Sequence, residues 1–273
     1  MSNLGLTLAG SCDEIDLTFG IRVDDDDEEL IDLERASFIK PAALVGLVCF
    51  ASFHREWGRA VRLRAPYNLD VANYLARTRL GRVLEELGVQ HDLPTVREHV
   101  AASLWELQSF SRASEVYDFA EHIHGEVSRT SRVGADELFE CLCEAGENVG
   151  QHSGQSRGYL TAQRYKNGRL VFAVGDAGLG FLHGLRGRGA STDAEALQLA
   201  LEPGVSSVDD RGRGYGLHEM ARSLSSLGGT LSILSGRNSV RSSAGRVRTS
   251  PDRQGSWQGA VVSGTFPIPD EQP

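Results

Sequence analysis

Glu144-Ala145-Gly146-Glu147-Asn148-Val149-Gly150-Gln151-His152 is the stretch on which the reading of this chain turns. It closes a longer pattern, 135–152, in which Leu138, Cys141, Leu142, Ala145 and Val149 share one side of a helix at about 100° per residue. Glu144, Asn148 and His152, spaced by four, line the edge of that apolar face, while Glu140, Glu147 and Gln151 point further outward. A carboxylate, an amide and an imidazole in such a row suit a site at a surface. The amide oxygen can hold a metal ion and the carboxylate can orient water or a hydroxyl. The ordinary polar edge of an amphipathic helix gives the same row, so this segment alone decides nothing.

Two stretches downstream narrow the choice. Residues 170–181 read as a buried strand ending in Asp176, followed by Gly178, Gly180 and Phe181. A fixed carboxylate beside backbone that lacks Cβ can accept a hydrogen bond from an amino group of a flat ligand such as adenine; a plain Asp-Gly turn has the same letters. Residues 211–217, Arg-Gly-Arg-Gly-Tyr-Gly-Leu, open a helical pattern. Gly212, Gly214 and Gly216 let backbone N–H groups gather around an anion, with Arg211 and the helix start adding positive charge. A flexible glycine loop is the alternative. The spacing is not that of a dinucleotide fingerprint, and no βαβ unit surrounds it.

Composition excludes competing chemistries. Of 28 basic side chains only Lys40 and Lys166 are lysines, and neither lies in G-x-x-x-x-G-K-[ST] or in V-A-I-K. A P-loop and a protein-kinase fold are therefore excluded. At 273 residues, with 40% hydrophobic and 24% charged residues, the chain has the make-up of one large or two modest folded domains. Its formal charge of -9 is dominated by Asp24 to Glu29, which supply six negatives. The acidic balance argues against direct nucleic-acid binding, although arginines at 237–253 form a local basic segment. Cys12, Cys49, Cys141 and Cys143 have neither zinc nor CxxC spacing and read as reduced thiols. The sequence shows no signal-peptide pattern, and its longest apolar run, 42–53, is too short to span a bilayer; a cytoplasmic, non-membrane protein is expected.

Along the chain, residues 1–29 read as a polar segment ending in the acidic run, with only short strand-like pieces such as Leu4–Leu8, outside the folded domains. Strand-like pieces at the ends of 30–39, a helix from Pro41 over 42–57, a strand at 60–65 and a helix over 69–87 capped by Gly88 form a small α/β unit, 30–92. A second domain, 95–269, has a strand at 104–110 and helices at 114–127 and 135–152. A hairpin follows at 158–174 around Lys166-Asn167-Gly168, then helices at 194–201 and 215–227 and strands at 230–234 and 259–266. Residues 236–256, rich in Ser, Arg and Gly, read as an exposed loop or long hairpin tip. The fold class expected is α/β: a small N-terminal unit followed by an α+β sandwich.

The three motifs, in this order, resemble the N, G1 and G2 boxes of the GHKL ATPase superfamily, named for gyrase, chaperone, histidine-kinase and MutL members. The resemblance covers about 95–269. It implies a Bergerat-type sandwich, with ATP between a mixed sheet and a flexible lid. By that match Asn148 ligates Mg²⁺, Asp176 binds the adenine amino group, and Gly178 and Gly180 approach the base. Arg211, Gly212, Gly214, Gly216 and Leu217 belong to the phosphate-wrapping lid, and Glu144 matches the catalytic base. The last box, a Gly-Thr eight residues before a proline, fits Gly259 to Pro267 in spacing but has Ala260 for the threonine; Gly264-Thr265 has the letters at the wrong distance. The box is placed at Gly259.

Ser206-Ser207 ahead of the lid look most like the anti-sigma serine-kinase branch, and 30–90 resembles a truncated STAS domain, the fold of those kinases' substrates. Where substrates carry a phosphoacceptor turn, this chain has Lys40-Pro41-Ala42-Ala43, with no hydroxyl. The resemblance implies an ATP- and Mg²⁺-binding regulatory serine/threonine kinase, or alternatively an ATP-responsive binding module with little or no phosphotransfer. Its partner would be a sigma-factor or anti-anti-sigma-like regulator, and a homodimer is possible. His54-Arg55-Glu56 is similar to a histidine-kinase phosphoacceptor box but lacks its proline and reads as a surface histidine. His122 and His124 face apart, and Trp57, Trp105 and Trp257 are too scattered for a stacking platform.

Overall fold

The computed structural model describes residues 3–24, 28–97, 103–152, 154, 157–205, 216–253 and 255–268. The first half contains β1 (Asn3–Thr7), β2 (Gly10–Cys12), α1 (Glu14–Gly20), β3 (Ile21–Asp24), β4 (Glu29–Asp32) and β5 (Ala36–Ile39). It continues with α2 (Pro41–Glu56), β6 (Val61–Arg64), α3 (Leu69–Arg77), α4 (Leu80–Glu86) and β7 (Gln90–His91). Its main sheet has the order β3-β1-β4-β6-β7. β1, β4, β6 and β7 run parallel, and β3 lies antiparallel at the edge. The N-terminal segment expected outside the domains is thus corrected. β1 pairs directly with β4, and Leu6, Leu8, Cys12 and Leu17 are buried. These short apolar insertions in a polar stretch find partners only in the tertiary structure.

The second half contains β8 (Leu104–Phe110), α5 (Ala113–Val127), α6 (Arg132–His152), β9 (Gly158–Arg164), β10 (Arg169–Asp176) and α7 (Gly180–Leu185). It ends with α8 (Asp193–Leu199), α9 (Gly216–Ser226), β11 (Thr230–Gly236), β12 (Asn238–Ser243), β13 (Arg246–Thr249) and β14 (Trp257–Pro267). The seven strands order as β13-β12-β11-β14-β10-β9-β8. Every pairing is antiparallel, so the mixed sheet implied by the resemblance is corrected. The chain is α/β as expected.

One sequence expectation fails locally for an identifiable reason, and another resolves to one of its two alternatives. The helix expected over 69–87 breaks into α3 and α4 at Arg79, whose φ of 67° is left-handed. No Gly or Pro marks this break. The Thr78 carbonyl instead accepts a hydrogen bond from Leu107 N–H at 2.9 Å, at the irregularity of β8 where pairing with β9 shifts register. Of the two readings of 236–256, exposed loop or long hairpin tip, the structure has the hairpin. β12 and β13 extend the sheet through a turn at Ala244 and Gly245, both with positive φ, as two-residue hairpin turns require. Arginines serve as edge and docking groups there: Arg241 holds the buried Glu14 of α1 at 3.0 Å, joining the N-terminal segment to β12.

The two halves also share a core. On one face of the seven-stranded sheet lie α5, α6 and α9, packed on Leu160, Leu170, Phe172, Val174, Ile233 and Val262. On the other, Tyr159, Ala173, Leu234 and Val261 pack with α2 of the first half. Strand alternation explains the division, because neighbouring residues point to opposite faces. Pro41 opens α2 at its first turn, and 13 of its 16 residues are buried, which leaves it no polar face.

Candidate functional site

β10 presents Leu170, Phe172 and Val174 to the α6 side and ends there in Asp176, while Gly175 faces α2. A Cβ at Gly175 would lie 2.8 Å from Val45 Cγ1 and 3.3 Å from Cys49 Sγ, so α2 packs against bare backbone immediately behind the aspartate. Asp176 is 5% exposed and accepts one hydrogen bond from Gly178 N–H at 2.8 Å. Burial without a cationic partner raises its pKa to about 7, and the Gly178 bond opposes that rise only in part. Cys49 is pushed well above the usual thiol value by burial and by the nearby Asp176.

The start of β14 closes on the same turn. Gly259 has φ of 78°, and a Cβ there would run into the Asp176 carbonyl oxygen and lie 2.7 Å from Gly178 N. Only glycine meets both demands. Gly264, the alternative position for the last box, pairs instead with Phe172 in mid-sheet. Gly180 opens α7 with positive φ, and a side chain there would meet Ser235 Oγ at 2.6 Å. Ser235 pins the assembly: its hydroxyl donates to Gly259 O at 2.8 Å and accepts from Phe181 N–H at 3.2 Å. Gln258 donates to Gly178 O. Neither Ser235 nor Gln258 carries a motif signal, since a lone polar residue at a strand end is common in any sheet.

From α6, Glu144 and Asn148 arrive half-buried at the rim of the apolar face. Asn148 Nδ2 donates to Glu144 Oε1 at 3.4 Å, which leaves the Asn148 amide oxygen as a free acceptor side of that group. Glu144 in turn meets the start of α9, for a Cβ on Gly216 would collide with its carboxylate. Beyond α6, Gly154 approaches Leu179 within the turn after β10. The structure therefore makes two groups on packed elements: Glu144 with Asn148 and Gly216 where α6 meets α9, and Asp176, Gly178, Gly180 and Gly259 where β10 meets β14. The side chain of Leu217 is 8% exposed and belongs to the hydrophobic core. Arg211, Gly212 and Gly214, with Ser206 and Ser207, lie outside the described residues, as does the side chain of His152.

No protein-family signature matches the chain, and no curated protein matches it. Among solved structures it is similar to full-length ShkA in complex with AMPPNP, at 17% identity, covering 84% of this chain and 43% of that one, with a TM-score of 0.33. It is also similar to the histidine kinase domain of the blue-light activated histidine kinase from Erythrobacter litoralis EL346. That match has 13% identity, covers 82% and 92% of the two chains, and has a TM-score of 0.30. The chain thus spans less than half the length of the first. At these scores neither likeness carries a conclusion about what this chain binds or does.

The minor motifs resolve as structure. His54 is corrected from surface to core: it is 1% exposed, with Nδ1 at 3.3 Å from Glu29 Oε1, and burial lowers its pKa. Arg59 reaches the same carboxylate oxygen at 2.6 Å. Trp105 donates to Glu126 at 3.0 Å and Trp257 is buried, whereas Trp57 is exposed. All four cysteines are buried. No group of three or more His, Cys, Asp or Glu that could hold a metal occurs among the described residues. No helix among them is long and apolar enough to cross a membrane.

Proposed function

We propose that the chain is a GHKL-type nucleotide-binding protein that takes ATP with Mg²⁺ at the assembly of α6, β10 and β14. The observation that carries this reading is Asp176, a buried carboxyl with one backbone donor and, among the described residues, no cation beside it, held between glycines whose missing Cβ atoms leave the backbone bare. Such a group suits the amino edge of adenine. The donor set also fits Mg²⁺, which seldom uses an all-protein cage and is commonly held by one or two protein oxygens together with phosphates. Asn148 would supply the protein oxygen, and Mg²⁺ would supply charge neutralisation at the phosphates. Glu144 would accept the proton of an attacking hydroxyl. Arg211, Gly212, Gly214 and Gly216 would enclose the phosphates.

The reaction class proposed is transfer to a protein serine, in a regulatory kinase of the anti-sigma type acting on a sigma-factor or anti-anti-sigma-like partner in the cytoplasm. The first half would act as a STAS-like binding or dimerising unit. A second reading, an ATP-responsive binding module, is favoured by Ala260 in place of the expected threonine and by Lys40-Pro41-Ala42-Ala43 in place of an acceptor turn.

Incubation with γ-labelled ATP, alone and with candidate partner proteins, separates these readings when wild type is compared with Glu144→Ala, Asn148→Ala and Asp176→Asn. Expected are nucleotide binding weakened tenfold or more by Asp176→Asn and transfer lost in Glu144→Ala with binding retained. Absence of nucleotide binding, or binding indifferent to Asp176→Asn, overturns the proposal. Binding without transfer leaves the second reading.

A further inference from the structure

A cavity of about 180 Å³ lies where the two halves meet, between the joint of α3 and α4, strand β7 and the chain leading to β8. It is remote in sequence from every residue of the nucleotide assembly. Four arginines, Arg77, Arg79, Arg82 and Arg97, and His91 are among the residues that line it. These residues come from three different segments around one space, so the cluster is more than one helix face.

The anionic side of the cavity is already engaged. Glu106 pairs with Arg79 at 3.0 Å and Glu85 faces His91 at 3.4 Å, while Arg82 holds Glu86 at 3.2 Å. No carboxylate lies within ion-pair distance of Arg77 or Arg97 among the described residues. Arg77 and Arg97, both exposed, are thus the lining arginines without an ion pair among the described residues, and Leu93 and Pro94 supply an apolar part of the wall. Arg79 points its side chain here from a left-handed backbone, a conformation disfavoured for a residue with Cβ. Gly81 allows His91 to approach the turn, with a Cβ there reaching its Cε1 at 3.0 Å.

From this arrangement we infer that the cavity at the junction of α3, α4 and β8 is a second ligand site, specific for a phosphoryl group. Guanidinium forks match the tetrahedral oxygens of a phosphate bidentately and from several directions. The volume exceeds the roughly 30 Å³ share of a single water several-fold, which admits a phosphoryl group with a short carbon chain against Leu93 and Pro94. Free orthophosphate and a small phosphate monoester share this chemistry. Because Leu107 of β8 and Thr78 of the joint are hydrogen-bonded across the same seam, occupancy would tie the two halves together.

The test titrates the full-length protein with inorganic phosphate, with O-phosphoserine and with sodium chloride at matched ionic strength. It uses calorimetry and the NMR shifts of the His91 ring. Expected are saturable one-to-one binding, perturbation of His91, and an affinity loss of at least tenfold in the double variant Arg77→Ala/Arg97→Ala. Both residues are exposed, so the variant should keep the wild-type melting temperature and ATP affinity. Tighter binding of orthophosphate assigns the site to the free ion, and tighter binding of O-phosphoserine assigns it to a monoester; either supports the site. Equal response to chloride, an unperturbed His91, or unchanged affinity in the double variant overturns it. None of these outcomes depends on whether ATP binds at Asp176.

Discussion

The two faces of the seven-stranded sheet are built from the same strands and serve different ends. On the α2 side β10 offers small groups, Ala173 and Gly175, beside Tyr159, Leu234 and Val261 of the other strands, and the helix that covers them is buried over 13 of its 16 residues. On the α6 side the same strand offers Leu170, Phe172 and Val174, then a carboxyl group at the last position. One face is sealed by close approach; the other ends in polar groups at the rim of a helix. The difference teaches that the α2 face supplies rigidity to a turn whose chemistry is on the other side. Gly175 is the residue through which the two are in direct contact.

The contrast can be broken most strongly from the sealed side. Leu47, fully buried on α2 between the two sheets, should cost about 2–5 kcal/mol on truncation to alanine, read as a shift of the urea midpoint. On the open side, the largest effect should come through pH. Asp176 has a folded pKa of about 7 against the ordinary carboxyl value of 3.8, so the folded state holds its proton more tightly than the unfolded state. Its contribution is therefore most favourable below the unfolded value and is lost as pH rises through about 7. Asp176→Asn should gain stability over wild type between pH 4 and 7, by on the order of 4 kcal/mol at most, and the gain should level off above that. A difference that is flat with pH would mean the carboxyl is not desolvated. The smallest effect is expected at the N-terminal tie. Arg241→Ala leaves the buried Glu14 without its guanidinium, but Arg241 is itself half exposed, so a loss of about 1 kcal/mol is expected. Hydrogen exchange should show it as faster opening of α1 with β10 unaffected.

Periodicity made the second half largely legible. The apolar row of α6, the Lys166-Asn167-Gly168 hairpin and the strand ending at Asp176 are all local patterns, and each formed where the letters placed it. The eight-residue spacing to Pro267 likewise placed the last box of the resemblance at Gly259, which the fold sets against Asp176. Legibility stopped where the deciding contact was distant. Nothing near Thr78 announces that its carbonyl bonds to Leu107, and nothing in the arginine-rich segment announces that Arg241 meets Glu14. His54 read as exposed because it ends a helix beside Arg55 and Glu56; Glu29, on a strand twenty-five residues earlier, is what draws it inward.

By itself, the sequence determined the amphipathic helix carrying Glu144 and Asn148, the carboxyl group closing a buried strand, and the exclusion of lysine-dependent phosphate grips. Those features depend on residue type at fixed short spacing. Only the tertiary structure decided that the acidic N-terminal stretch supplies strands to the first sheet, that α2 seals the second, and that Ser235 and Gln258 lock the turn at Asp176. Each of those is a contact between segments far apart in the chain. Its free energy comes from burial and hydrogen bonds that exist only once both partners are in place.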